Sequence, residues 1–187
     1  MGALRCWQRN IGIHKSSNKD DIRNAIREVK NGRRRERKSN LVPTEQGWNP
    51  YVAKDFLVEH GLRIQEYRRV FDEWFASSVP LKVEGKWVAN SLTYYVSGNE
   101  FAAERLTLNL AVFNPEISDE SDQRFWEIAN VLLQKALSKA IQLPNGDDNI
   151  IVEAGHRIKI EKTIWPNGLP GSFERKITIS PVGFSDA

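Results

Sequence analysis

Between Ser121 and Gln142 the apolar residues recur at the three- and four-residue steps of an amphipathic helix. They are Phe125, Ala129, Leu132, Leu133, Ala136, Leu137 and Ala140. These positions form one wide face, which predicts a long helix packed against a core. Potential capping side chains precede it at Ser118, Asp119 and Ser121, and Pro144-Asn145-Gly146 is typical of a helix end.

The rest of the chain after Pro80 follows the two-residue period of half-buried strands. Leu106, Leu108, Leu110 and Val112 alternate with Thr107, Asn109 and Ala111. Further strands are predicted at Leu81–Ala89, Leu92–Ser97, Asn149–Glu153, Arg157–Ile164 and Phe173–Ser180. Because these strands come in runs and do not alternate with helices, we expect a mainly antiparallel sheet.

The N-terminal third has helical spacing instead. Ile22, Ala25, Ile26 and Val29 predict a short amphipathic helix over residues 20–31. A helix from Pro50 to His60, capped by Asn49 and stopped at Gly61, should bury Val52, Phe56 and Leu57. Another, from Arg63 to Ala76, carries a stripe of Tyr67, Val70, Phe71 and Trp74. The predicted fold class is α+β: a helical N-terminal third with a basic arm, then a five- or six-stranded sheet packed by one long helix.

Charge divides the chain into two parts. Residues 1–40 contain twelve Lys/Arg and four Asp/Glu, a formal net charge of +8, whereas the total is +3. Residues 41–187 therefore sum to −5. This split predicts a basic N-terminal arm over residues 1–40 and a single α+β domain over residues 41–187. Such an asymmetry indicates a polyanionic partner.

The basic arm supplies the candidate nucleic-acid-binding residues. They are Arg23, Arg27, Lys30, Arg33, Arg34, Arg35, Arg37 and Lys38. Arginine predominates, which favours forked contacts with phosphates. Nucleic acid is the leading partner. An acidic protein surface and an anionic membrane remain alternatives, as does a solvated charged face without a partner. The oligomeric state is not determined.

No catalytic or metal-binding pattern is present in the sequence. His14, His60 and His156 are not spaced as ligand pairs, and the single Cys6 excludes an internal disulfide and a cysteine-based zinc site. The acids Glu116, Asp119, Glu120 and Asp122 favour dipole partners at a helix start over acid–base chemistry. Gly155-His156-Arg157 favours a hairpin turn over a phosphate loop, and Asp147-Asp148 a polar turn. We therefore expect no catalytic residue, no metal and no cofactor.

Two tryptophans are candidate protein-contact residues. Trp165 precedes a turn-rich Pro-Asn-Gly segment and Trp7 lies among cations. The alternative for each is a purely structural role; for Trp165 this would be packing back over the sheet. Met1-Gly2 with Cys6 loosely matches an acylation context, although the stricter pattern requires Ser or Thr at position 6.

The functional expectation is a non-enzymatic binding, regulatory or structural protein that engages a polyanion through its basic arm. A peripheral membrane or matrix-like assembly protein is one alternative. An inhibitor or adaptor that binds another protein is a second, and a nucleic-acid-acting enzyme a third. No apolar run approaches the roughly 18 residues of a membrane span, and no secretory signal is readable, so a cytoplasmic location is expected.

Overall fold

A large antiparallel sheet dominates the computed structural model, which describes residues 47–83, 89–141, 143 and 147–183. Its strands are β1 (Arg68–Val70), β2 (Glu73–Ser77), β3 (Leu81–Val83), β4 (Asn90–Gly98), β5 (Ala103–Val112), β6 (Asn149–Glu153), β7 (His156–Ile164) and β8 (Phe173–Pro181). The order across the sheet is β1-β2-β4-β5-β8-β7-β6, and β3 pairs with β4 beside β2. With helices α1 (Pro50–Ala53) and α2 (Ser118–Leu137), this confirms the α+β class.

Helix α2 covers one face of the sheet, as its apolar pattern predicts. Phe125, Ala129, Leu132, Leu133, Ala136 and Leu137 are all buried, together with Ile128. They share one core with Tyr94, Leu108 and Ile177 of the central strands. The helix ends earlier than predicted, at Leu137, because Ser138 adopts a left-handed φ of 54°. Ala140 therefore lies beyond the helix and is exposed.

The start of α2 differs from the predicted capping. The N-cap position is Ile117, which has no capping side chain, and the Ser121 hydroxyl donates back to the Ile117 carbonyl oxygen at 2.8 Å. A 3-10 turn over Pro115–Ile117 leads into the helix. The Asn114 side chain caps that turn by accepting from the Glu116 N–H at 3.1 Å. The cap thus lies before the turn, so Ser118, Asp119 and Ser121 were the wrong candidates.

The helix predicted from Arg63 to Ala76 is wrong, because this segment forms the β1–β2 hairpin. Phe71 adopts a positive φ of 55° in the turn and is 93% exposed. Val70 is also exposed, so only Tyr67 and Trp74 of the supposed stripe face inward, with ring centroids 5.7 Å apart. Pairing of β2 with β4 outweighs the local helical spacing. With these two strands the sheet has eight, whereas the sequence predicts five or six.

The helix predicted from Pro50 to His60 is partly correct. Asn49 caps α1 by accepting from the Tyr51 N–H at 3.0 Å, and Pro50 begins the helix. However, the α-helix lasts one turn, and the chain continues through turns to a 3-10 helix at Val58–His60. Gly61 ends it with a left-handed φ of 85°, as expected. The helix predicted over residues 20–31 lies outside the described residues.

The C-terminal strands match the prediction closely. The β6–β7 hairpin turns at Ala154 and Gly155, both with positive φ, and β7 begins at His156. This geometry is the tight two-residue hairpin turn, and Gly155-His156-Arg157 is therefore part of a hairpin. The strand predicted over residues 81–89 is described only for Leu81–Val83.

Candidate functional site

The strand register assigns each side chain to one of two faces, since directly opposed residues of an antiparallel pair point the same way. Leu108 and its partner Tyr94 lie in the core beneath α2. The next residue, Asn109, therefore points away from α2, as do its partners Thr93 and Lys176. We call the surface formed by this second set of side chains the outer face.

Cations are concentrated on the outer face. The register places six there: Arg68, Lys82, Arg105, Arg157, Lys159 and Lys176. Three acids of the described strands share it: Glu73, Glu161 and Glu174. The outer face thus has a formal charge of +3, although residues 41–187 together have −5. The rest of residues 41–187 accordingly has a formal charge of −8. Positive charge is thus concentrated on the outer face and negative charge elsewhere.

Two of the outer-face lysines are paired along their own strands. Lys159 lies 2.8 Å from Glu161 on β7, and Lys176 lies 3.0 Å from Glu174 on β8. Both pairs are partly exposed, and such pairs contribute roughly 0–1 kcal/mol.

Small polar side chains fill the centre of the outer face. Thr107 and Thr178 approach each other with their hydroxyl oxygens 3.4 Å apart. Thr93 and Asn109 are each only 8% exposed. Among the described residues the Asn109 Oδ1 atom has no hydrogen-bond partner, although it is an acceptor. The Phe75 and Tyr95 rings form a pair beside this centre, 5.8 Å apart.

Arg175 is a buried charged residue, a feature often found at functional sites, and sequence analysis did not identify it. It is buried on the inner face, where its guanidinium forms a forked pair with Asp147 at 2.9 and 3.2 Å and also pairs with Asp122. Burial lowers the pKa of Arg175, but hydrogen bonds to Asp147 and Asp122 outweigh it, so the net shift is upward. The guanidinium therefore stays charged. Its centre also lies 5.4 Å from the Trp126 ring.

This cluster, in which Arg175 is buried and the two acids are partly exposed, connects three parts of the chain. Asp122 belongs to α2, Arg175 to β8, and Asp147 precedes β6. Asp122 was expected to interact with the helix dipole and Asp147 to lie in a polar turn. Both instead form ion pairs with Arg175. The alternation Phe173, Arg175, Ile177, Ile179 was the sequence signal, because it places Arg175 on the apolar face. With both acids occupied by Arg175, we assign the cluster a structural role.

The histidines form no metal centre in the described part of the chain, where no group of three potential ligands comes together. His156 is buried, and its ring centroid lies 5.0 Å from that of Trp48. Its Nδ1 atom is 2.8 Å from the Ala154 carbonyl oxygen. Trp48 is itself fixed by donating from Nε1 to the Ala136 carbonyl oxygen at 2.8 Å. These contacts tie the β6–β7 hairpin to the end of α2.

Trp165 is folded back and only partly exposed. Its ring centroid lies 4.9 Å from that of Phe113, which directly follows β5. A role for Trp165 in protein contact remains a prediction. The other candidates, namely Trp7 and the eight cations of the basic arm, lie outside the described residues and also remain predictions.

Comparisons with known proteins add no identity: no protein-family model, no curated protein and no solved structure matches the chain. No helix within residues 47–83 and 89–141 or the other described positions is long and apolar enough to cross a membrane.

Proposed function

We propose that this protein is a non-enzymatic nucleic-acid-binding module that engages the phosphate backbone. Its cations come from two places, the basic arm of residues 1–40 and the outer face of the sheet. The observation that carries the proposal is charge segregation. The basic arm has +8 and the outer face +3, while the remainder of residues 41–187 has −8.

Segregated charge has a directional effect on a polyanion. The acidic remainder repels phosphates, and the cationic surfaces attract them, so the field favours approach to the outer face and the arm. Each phosphate contact releases condensed counterions, which makes binding strong at low salt and weak at high salt. Such contacts position a protein on nucleic acid and do not read base sequence.

The basic arm should make several contacts at once. Arg23, Arg27, Lys30 and Arg34 recur at three- and four-residue steps, so on a helix they would share one edge. About four phosphates would then be neutralised by the arm, which alone should contribute about −3 to −4 to the slope of log affinity against log salt on duplex DNA. Contacts of the outer face should make the slope of the full chain steeper.

The test is binding of the full chain to duplex DNA, RNA and anionic liposomes across a salt series. Replacing Arg27 and Arg34 with glutamine should reduce the slope on DNA by about two units. Replacing both with lysine is the matched control, because the charge is kept and most of the slope should remain. Preference among DNA sequences should hardly change in either variant.

Two outcomes would contradict the proposal. Binding to liposomes but not to DNA or RNA would indicate a membrane-associated protein. Affinity that does not change with salt, but falls when Trp7 or Trp165 is replaced by alanine, would indicate recognition of another protein through aromatic anchors.

A further inference from the structure

The two ends of the sheet differ in how well they are protected against pairing with another strand. At one end, β1 has three residues, and two of them are Arg68 and Arg69. Short, charged edge strands discourage pairing. At the other end, β6 has five residues, with Ile150 64% and Val152 61% exposed. No described strand pairs with β6 on the side away from β7.

The hairpin geometry determines which backbone groups of β6 point outward. Glu153 and His156 close a two-residue turn, so they form a hydrogen-bonded pair, as does Ile151 with Ile158 two positions on. The pairs in between have their N–H and C=O groups directed away from each other. Ile150 and Val152 therefore present their backbone groups on the side away from β7.

A second β6 strand fits this edge in one antiparallel register. A two-fold axis at Ile151 would place Ile150 opposite the other copy's Val152, and each of these residues has outward backbone groups to exchange. The same register places Asn149 opposite Glu153, so no like charges face each other. Apolar side chains directly opposite one another stabilise a strand pair. The strand is thus complementary to itself in shape, hydrogen bonding and charge.

We propose that two copies of this chain associate through β6, which forms an antiparallel pair around a two-fold axis at Ile151. The association joins the two sheets edge to edge and covers Ile150 and Val152 of both copies. The evidence for it does not depend on the proposed nucleic-acid binding, although Ile150 and Val152 lie on the outer face, opposite Lys159 and Arg157.

Sedimentation velocity of the full chain, without nucleic acid, tests the proposal over about a hundredfold range of concentration. The mass should rise from 21.4 kDa towards twice that value. The double variant Ile150→Lys/Val152→Lys places like charges across the axis and should remain monomeric. Val152→Pro should also remain monomeric, because it removes an outward N–H that β7 does not use.

Two further variants make the result decisive. Ile150→Thr/Val152→Thr keeps β-branched side chains and should weaken association roughly tenfold, even if the lysine or proline variants fail to fold by circular dichroism. Val79→Lys is the control: Val79 is 66% exposed and lies between β2 and β3, so its replacement should leave association unchanged. A wild-type protein that stays monomeric throughout, or a dimer that persists unweakened in the threonine variant, would overturn the proposal.

Discussion

Replacing Tyr94 with phenylalanine should lower stability at neutral pH and reverse its effect in alkaline solution. Tyr94 is fully buried on the inner face of β4. Its hydroxyl donates to the Ala53 carbonyl oxygen of α1 at 2.9 Å. Burial raises the pKa of Tyr94 well above its usual value of 10.0, since the charged form would lose its hydration. The hydroxyl therefore stays protonated in the folded protein.

The structure gives the size of both effects. At pH 7 the variant loses one hydrogen bond, which costs about 0.5–1.5 kcal/mol, because the Ala53 oxygen still accepts from the Phe56 N–H at 3.1 Å. Above pH 10 the tyrosine ionises in the unfolded chain but not in the folded one. Its contribution, complete below pH 10, then falls by about 1.4 kcal/mol per pH unit. By pH 11.5 the wild type loses about 2 kcal/mol that the phenylalanine variant keeps.

Urea unfolding followed by circular dichroism at pH 7 and pH 11.5 measures the difference between the two proteins. Burial also raises the pKa of Tyr67, with contributions from Glu104 and Glu73, but Tyr67 is present in both proteins and its effect cancels. Leu133→Ala is the control, because it removes no ionisable group and should have a cost independent of pH. An equal difference in stability between wild type and Tyr94→Phe at both pH values would contradict the prediction, because it would mean that the hydroxyl ionises in the folded protein as readily as in the unfolded chain.

Three other predictions concern the core, the Arg175 cluster and the arm. Leu133→Ala should cost about 2–5 kcal/mol in denaturant unfolding, because Leu133 is 1% exposed, whereas Gln134→Ala on the exposed side of α2 should change little. Arg175→Met should cost about 1–3 kcal/mol, since Asp122 loses its ion pair, Asp147 keeps only Lys162, and both carboxylates are about a third exposed; adding Asp147→Asn should cost less than the sum of the single changes. Deleting residues 1–40 should leave the circular dichroism of a folded sheet but remove most polyanion binding in a filter assay; unaltered binding would contradict a role for the arm.

Local sequence patterns correctly predicted the elements whose periodic apolar residues all face the core in the folded protein. The alternation of Leu106 to Val112 persists because β5 lies in the middle of the sheet with α2 on one side. The apolar face of α2 persists for the same reason. Both elements are long, so several residues support the same assignment.

The β1–β2 hairpin could not be predicted in this way. Tyr67 and Trp74 have helical spacing by coincidence, and their inward orientation depends on the pairing of Phe75 with Ser97, more than twenty positions away. The early end of α2 depends on one left-handed residue, Ser138, which the sequence does not distinguish.

The concentration of cations on the outer face could not be predicted from local sequence patterns either. Its cations come from strands far apart in sequence, and only the register brings Lys159 of β7 next to Thr178 of β8. The charge of the basic arm, in contrast, is visible in the sequence because its residues are consecutive.

Binding to the phosphate backbone is best measured through the salt dependence of duplex DNA binding by the full chain. The proposal predicts a slope of −3 or steeper, and Arg157→Gln/Lys159→Gln on the outer face should make it shallower by about two units. The matched control, Arg63→Gln/Arg124→Gln, removes two cations from elsewhere and should leave the slope unchanged. A slope near zero for the wild type, or equal losses in the two double variants, would contradict phosphate binding by the outer face.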